Sequence, residues 1–217
     1  RLGYDMSLKE RKKVENTLTS VVLEDGSSVL LSIFSSSVIL LKKWKLNIGF
    51  NSQLFTLNSK TTLEPRVGIT YQLDDRNELS FGYGIHSRIE PLNIYLSNTS
   101  NSNLNQANKD LDFSKAHHII LAYDWDISDG THIKIEPYFQ YLYDVPVVEN
   151  TTESLLNLQN NWFISNTYSN LGNGKNYGID IILEKFISNG FYYLISASVF
   201  ESKYSVDNIN WYNTRFN

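Results

Sequence analysis

TTLEPRVGITYQL (Thr61–Leu73), DDRN (Asp74–Asn77) and ELSFGYGIHSRIEPLNIYL (Glu78–Leu96) read together as one hairpin. Taken every second residue, Leu63, Pro65, Val67, Ile69, Tyr71 and Leu73 share one face, and Glu64, Arg66, Gly68, Thr70 and Gln72 share the other. After DDRN the alternation resumes, with Leu79, Phe81, Tyr83 and Ile85 set against Glu78, Ser80, Gly82, Gly84, His86, Arg88 and Glu90. Successive strand side chains point to opposite faces, so each arm has one apolar and one polar face. The run far exceeds the ~5–6 residues of an ordinary globular strand. Long strands, a tight turn and a charged polar row are the pattern of a membrane barrel with a wet lumen. Soluble sandwiches alternate too, but over shorter runs.

The pattern extends in both directions. Downstream, Ile119, Leu121, Tyr123, Trp125 and Ile127 oppose His118, Asp124 and Asp126, with Ile120 interrupting the polar row. After SDG (Ser128–Gly130), Ile133, Ile135, Pro137, Phe139, Tyr141, Tyr143 and Val145 oppose Lys134, Glu136, Tyr138, Gln140 and Asp144. Tyr177, Ile179, Ile181 and Leu183 then oppose Gly178, Asp180 and Glu184; after SNG (Ser188–Gly190), Ile195, Ala197 and Val199 oppose Ser196, Ser198 and Ser202. Upstream, Leu46, Ile48, Phe50 and Leu54 oppose Asn47, Gly49, Asn51 and Gln53, preceded by Ser28–Leu41, whose SIFSSSVILL supports either facing. Arg1–Lys9 reads as the tail of an earlier strand and Glu10–Ser27 as a polar loop. The expected fold is all-β: about eight long antiparallel strands forming an open, curved segment of a transmembrane barrel.

Connections alternate as well. KKWK (Lys42–Lys45), DDRN, SDG and SNG are tight, whereas Ser97–Ser114, Val148–Asn173 and the segment after Ser205 are long; Asn58–Lys60 is a short exception. Outer-membrane barrels have short periplasmic turns and longer extracellular loops, which orients the chain. Trp44 and Trp125 sit beside tight turns, where an inner aromatic girdle lies, and Tyr141 and Tyr143 approach the opposite rim.

Composition agrees. Among 217 residues, 14 Tyr, 11 Phe and 4 Trp supply the aromatics that interface girdles require. The mean hydropathy of -0.29 is unremarkable for a barrel, whose apolar band hides in alternate positions. No run of about 18 apolar residues provides a helical span. A net charge of -4 gives no footprint for nucleic acid, and the absence of cysteine excludes a disulfide scaffold or thiolate metal site. The chain opens on Arg1 without methionine and closes on Asn217 just after a loop, which reads as a stretch of a longer protein.

Candidate chemistry is sparse. His117 and His118 are adjacent, so a strand sends them to opposite faces and they cannot chelate one ion together. His86, Arg88 and Glu90 share the polar face near the outer strand end and are the possible lumen-facing solute contacts, or else a structural charge network. No catalytic triad, HExxH motif or phosphate loop occurs at usable spacing, so no enzyme, cofactor or metal is expected. Glu64, Glu90 and Glu136 each precede a proline (Pro65, Pro91 and Pro137), where bulges or strand ends are expected. Asn98-Thr99-Ser100 and Asn150-Thr151-Thr152 fit a glycosylation sequon and read as polar loop residues.

TLEPRVGITYQL with LSFGYGIHSRIEPLNIYL, KAHHIILAYDWDISD with IKIEPYFQYLYDVPV, GKNYGIDIILEKFISNGFYYLISASVFESKY and the closing NTRFN together resemble the C-terminal barrel of Bacteroidetes TonB-dependent receptors. The resemblance extends from Gly26 onward and is carried by wording and order rather than one motif. It implies membership of a barrel of about 22 strands with a plugged lumen, the plug lying outside this chain and residues 1–217 forming part of the barrel domain. It further implies an outer-membrane location, energisation through TonB by way of the missing N-terminal part, and uptake of a scarce solute: siderophore, cobalamin, glycan or peptide. No solute-binding motif of the family carries over residue by residue. The alternatives are a β-rich surface adhesion module and a non-transport scaffold barrel.

Overall fold

The computed structural model describes residues 4–5, 11–14, 17–20, 27–96, 107–157, 166–188 and 190–217. The sequon at Asn98 and the middles of the two longest loops lie outside them. Four short strands come first: β1 (Tyr4–Asp5), β2 (Arg11–Val14), β3 (Thr17–Ser20) and β4 (Ser27–Ser28). Eight long ones follow: β5 (Leu30–Leu41), β6 (Trp44–Phe55), β7 (Lys60–Asp74), β8 (Asn77–Arg88), β9 (Ser114–Ser128), β10 (Thr131–Val147), β11 (Ser169–Ser188) and β12 (Phe191–Ser205), with β13 (Tyr212–Asn213) last. β5 to β13 form one antiparallel sheet in strict chain order, so each strand from β6 to β12 pairs with the one before and the one after it. The eight long strands are those expected.

Strand length follows from the solvent. A bilayer core is crossed by about 9–11 tilted strand residues, and these strands have 12 to 20, so their ends project beyond it. Turn chemistry sets one end. Gly130 and Gly190 take positive φ of 76° and 84°, and a one-residue register shift adjoins each turn, after the first between Thr131 and His132 and before the second between Lys185 and Ser188. A left-handed glycine beside a bulge matches the strand twist.

Five expectations shift. Glu10–Ser27, read as loop, contains the β2–β3 hairpin with Arg11 opposite Ser20 and Val14 opposite Thr17; β-branched Val14, Thr17 and Thr19 favour extended backbone. β8 stops at Arg88, and the end of the quoted hairpin forms one helical turn, α1 (Leu92–Tyr95), after Pro91. Ile94 and Tyr95 are buried there, so tertiary burial overrides the alternation. β11 begins at Ser169 rather than after Asn173, because Gly172 and Gly174 are ladder residues opposite Val145 and Leu142. Glycine is needed there: a Cβ on Gly172 would meet the Val145 carbonyl oxygen at 2.8 Å. The long polar loops also cover a small core at the outer end of the sheet, formed by Phe55, Ile94, Tyr95, Leu111, Phe113, Leu155 and Tyr168.

The prolines are the fifth shift. Pro91 lies just past the end of β8, near a strand end as expected, but Pro65 and Pro137 lie inside strands without bulges. Pro65 pairs with Phe50 of β6, while the β7–β8 ladder begins only at Arg66 opposite Gly84. Pro137 pairs with Ile179 of β11, and toward β9 the ladder passes from Ile135–Tyr123 to Tyr138–Ile120 with no register change. Each ring therefore turns its missing N–H toward the side where the ladder is already interrupted. The bulge falls at the fourth proline: register shifts flank Val145 and Pro146, and Asp144 has a φ of 54°.

The two faces separate as the alternation requires. Leu63, Leu79, Phe81, Leu121, Ile179, Ile181, Ile195 and Val199 are exposed on one face, Val199 at 79 %. Val67, Ile69, Ile133 and Ile135 are half-buried against neighbours in the same sheet. No second layer covers this row among the described residues, so it is a lipid-facing band. Ile69, between Leu46 and Phe81 in the ladder, provides the test. Ile69→Arg in the full-length protein should lower folding stability in vesicles by about 2–4 kcal/mol, measured by the denaturant midpoint of heat-modifiable barrel. Thr70→Arg, on the opposite face, should leave the midpoint within experimental scatter.

Candidate functional site

On the polar face the side chains converge where Pro65 ends the β7–β8 ladder. The strands diverge beyond Arg66 and Gly84, and Glu64 fills the gap at only 1 % exposure. Four donors from three strands reach its carboxylate. Gln53 Nε2 of β6 donates at 2.6 Å, Asn51 Nδ2 of β6 at 3.1 Å and the Arg66 guanidinium of β7 at 2.8 Å. The fourth is the Ser87 hydroxyl of β8, in close contact. A buried carboxylate is tolerated only when its lone pairs are taken. This carboxylate bonds across a split that the main chain leaves open. Gly84 leaves room for Arg66, since a Cβ there would lie 3.2 Å from Arg66 Cγ and from His86 Nε2.

The three candidate contacts divide into two groups. His86 is half-buried beside the Glu64 cluster, its ring 4.5 Å centroid to centroid from that of His118 on β9. Arg88 and Glu90 lie at the strand end and form an ion pair of 3.8 Å, with the Arg88 side chain 61 % exposed and that of Glu90 only 5 %. Glu90 is held from behind: Ser114 Oγ donates to Oε1 at 2.7 Å, and the Glu90 main-chain N–H donates to the Tyr95 hydroxyl at 3.2 Å. Burial pushes the Tyr95 phenol up to about 12, so it stays neutral and anchors Glu90 at any physiological pH. The result is one solvent-facing cation, Arg88, on a fixed carboxylate.

His117 and His118 do face opposite ways. His118 meets His86 on the polar side, whereas His117 stacks with Tyr143 at 5.0 Å between centroids and shares a 2.9 Å hydrogen bond between its Nδ1 and the Tyr83 hydroxyl. Tyr83, His117 and Tyr143 thus form an aromatic group on the apolar face toward the long-loop end, as a membrane rim requires. A second polar row runs over β10–β12: Asn176 Nδ2 donates to Gln140 Oε1 at 3.1 Å, Ser202 Oγ donates to Asn176 Oδ1 at 2.7 Å, and Thr214 Oγ1 donates to Ser202 Oγ at 2.9 Å. Among the described residues no group of three or more His, Cys, Asp or Glu could hold a metal ion. The sequence reading missed the role of Glu64, Asn51, Gln53 and Ser87 as a unit; the signal available was Pro65 following a carboxylate in mid-strand.

Comparison with known proteins gives the same architecture. Residues 51–217 match the family described as outer membrane protein beta-barrel family. No curated protein is matched. Among solved structures, the outer membrane transporter YddB from Escherichia coli is similar at 14 % identity and a TM-score of 0.65, over 83 % of this chain and 26 % of that one. The ferric-catecholate import receptor Fiu from Escherichia coli K12 is similar at 13 % identity and 0.64, over 88 % and 30 %. The ferric enterobactin receptor PfeA from Pseudomonas aeruginosa is similar at 13 % and 0.60, over 90 % and 32 %. At these identities the likeness is one of fold, and the chain spans between a quarter and a third of each structure's length.

Glu64 is the residue whose loss tests this arrangement. Glu64→Ala strands the Asn51, Gln53 and Ser87 donors in a buried gap and should cost about 1–3 kcal/mol, the lower half being expected because Arg66 is half exposed and stays hydrated. Hydrogen exchange should accelerate at the outer ends of β7 and β8 while β10–β11 is unchanged.

Proposed function

The chain belongs to the outer membrane protein β-barrel family and sits in the outer membrane; from that premise we propose that it forms part of the wall of a TonB-dependent receptor that takes up a scarce solute. The observation that carries the reading is the fold likeness, over 82–90 % of the chain, to an iron transporter, a siderophore receptor, a ferric-catecholate import receptor and a ferric enterobactin receptor. Two further features support it. The polar face is charged and hydrogen-bonded from strand to strand, as a hydrated passage requires, and not apolar as a second packed layer would require. Among the described residues β5 is unpaired on one side and β12 is covered by β13 only at Lys203 and Tyr204, and an open edge is not viable in hydrocarbon, so in this reading further strands close the wall.

In this reading the remaining strands and the plug come from sequence outside the chain, TonB acts through that plug, and the outer-membrane lipid covers the apolar band. The sequence resemblance adds a Bacteroidetes origin. The solute belongs to the four classes the resemblance allows, and the likeness to iron and ferric-chelate receptors favours an iron chelate over cobalamin, glycan or peptide. Arg88 is the residue fitted to meet an anionic chelate: exposed, cationic and held by Glu90. His86, held against His118, lines the passage, and Glu90 positions Arg88 rather than touching solute. Nothing in the polar row has the spacing of a catalytic set.

Disrupting the full-length gene should abolish growth on one scarce nutrient, with ferric chelates as sole iron source the first condition to try. A complete reading frame with no plug sequence, together with unimpaired growth of the disruption strain on every scarce nutrient, would instead favour a scaffold barrel. Arg88→Ala should raise the apparent Kd for an anionic chelate about tenfold, equivalent to ~1.4 kcal/mol, with unchanged barrel yield. Measured uptake that is insensitive to Arg88→Ala but lost in His86→Ala would move the contact deeper into the wall.

A further inference from the structure

The apolar face carries a groove of about 490 Å³ near its tight-turn end, framed by Trp44, Tyr71, Leu79, Phe81, Leu121 and Pro137. Its volume falls in the ~300–1,000 Å³ range of clefts that seat small ligands. The floor has a structural cause. Between Ile135–Tyr123 and Tyr138–Ile120 the β9–β10 ladder is interrupted at Pro137, whose compact ring lies opposite Leu121 of β9. One wall is rigid, since the Trp44 and Tyr71 rings lie 4.4 Å apart at their centroids.

Charge accumulates at the mouth. Lys42 and Lys43 form the two-residue β5–β6 turn immediately before Trp44, and Lys42 holds a positive φ of 49° that fixes the turn. Lys43 Nζ donates to the Leu73 carbonyl at 2.9 Å, tying this turn to the end of β7. Of the two acids in the adjoining β7–β8 turn, Asp74 is occupied, accepting from the Arg76 main-chain N–H at 2.8 Å and from Asn77 Nδ2 at 2.8 and 2.9 Å, while Asp75 is exposed beside the Arg76 cation. Arg76 reaches Asp129 at 3.7 Å. Among the described residues Lys42 forms no ion pair.

We propose that this groove is a binding site for one anionic phospholipid of the inner leaflet, its acyl chain lying along Phe81, Leu121 and Pro137 and its phosphate meeting the Lys42–Lys43 turn. A groove in a lipid-facing wall is filled by acyl chain whatever the headgroup; the basic turn is what selects a negative one, as basic pockets beside membrane spans do. Trp44 and Tyr71 lie at the headgroup boundary, where amphipathic rings sit. The occupant follows from the outer-membrane location and the basic turn, and does not depend on what the protein transports.

The test uses the full-length protein, purified in neutral detergent and supplied with phosphatidylglycerol or phosphatidylcholine of matched chains. Native mass spectrometry should show phosphatidylglycerol retained at least fivefold over phosphatidylcholine, with a higher melting midpoint. The Lys42→Gln/Lys43→Gln double variant should retain both lipids equally. Leu121→Trp, filling the groove, should reduce retention of both, and Lys203→Gln, at the far strand ends, should leave the preference intact. Equal retention of the two lipids by the unaltered protein would overturn the proposal, as would a preference that survives the double lysine variant.

Discussion

In hydrocarbon there is no water to satisfy a main-chain amide, and that constraint organises this molecule. Every strand from β6 to β11 is paired to both of its sequence neighbours, because an unpaired peptide group in the bilayer costs several kcal/mol. The antiparallel order is the cheapest way to meet the demand, since tight turns close each hairpin with little loop entropy. Side-chain alternation is a consequence: once the ladder is obligatory, one face must suit lipid and the other must suit water.

Where the ladder fails, side chains or packing take over. Pro65 removes a donor on the β8 side, and the buried Glu64 carboxylate spans the split instead, taking donors from β6, β7 and β8. Pro137 does the same toward β9, but its gap opens on the apolar face as a groove. The two sites differ because their neighbours differ: one gap has amides and a guanidinium beside it, the other mostly aliphatic and aromatic groups. Close approach is handled in the opposite manner, by removing a side chain. A Cβ on Gly178 would stand 2.6 Å from the Val199 carbonyl oxygen, so β11 and β12 meet there only because that position is glycine.

The outer end follows ordinary aqueous rules. Phe55, Ile94, Tyr95, Phe113 and Tyr168 form a compact core beneath the loops, and Asn58 ties two connections together through the Lys109 and Leu111 carbonyls at 3.0 and 2.8 Å. This core fixes α1, which presses the Tyr95 hydroxyl against Glu90 and so determines where Arg88 stands. A loop region that is polar by composition thus contains the apolar residues that orient the candidate solute contact.

The alternation of Leu63 to Leu73 and Leu79 to Ile85, the turn residues of SDG and SNG, and the opposed facing of His117 and His118 were legible in the sequence. Each depends on a period of two or on local backbone geometry, which one strand carries by itself. Strand ends at Arg88 and Ser169, the unbulged prolines, the loop core and the four-donor grip on Glu64 were decided by the tertiary structure. They depend on which residue lies opposite on the next strand, and on burial of Ile94 and Tyr95 by segments far away in the chain. Register and burial are properties of pairs, so a single strand's pattern names the faces but not the partners.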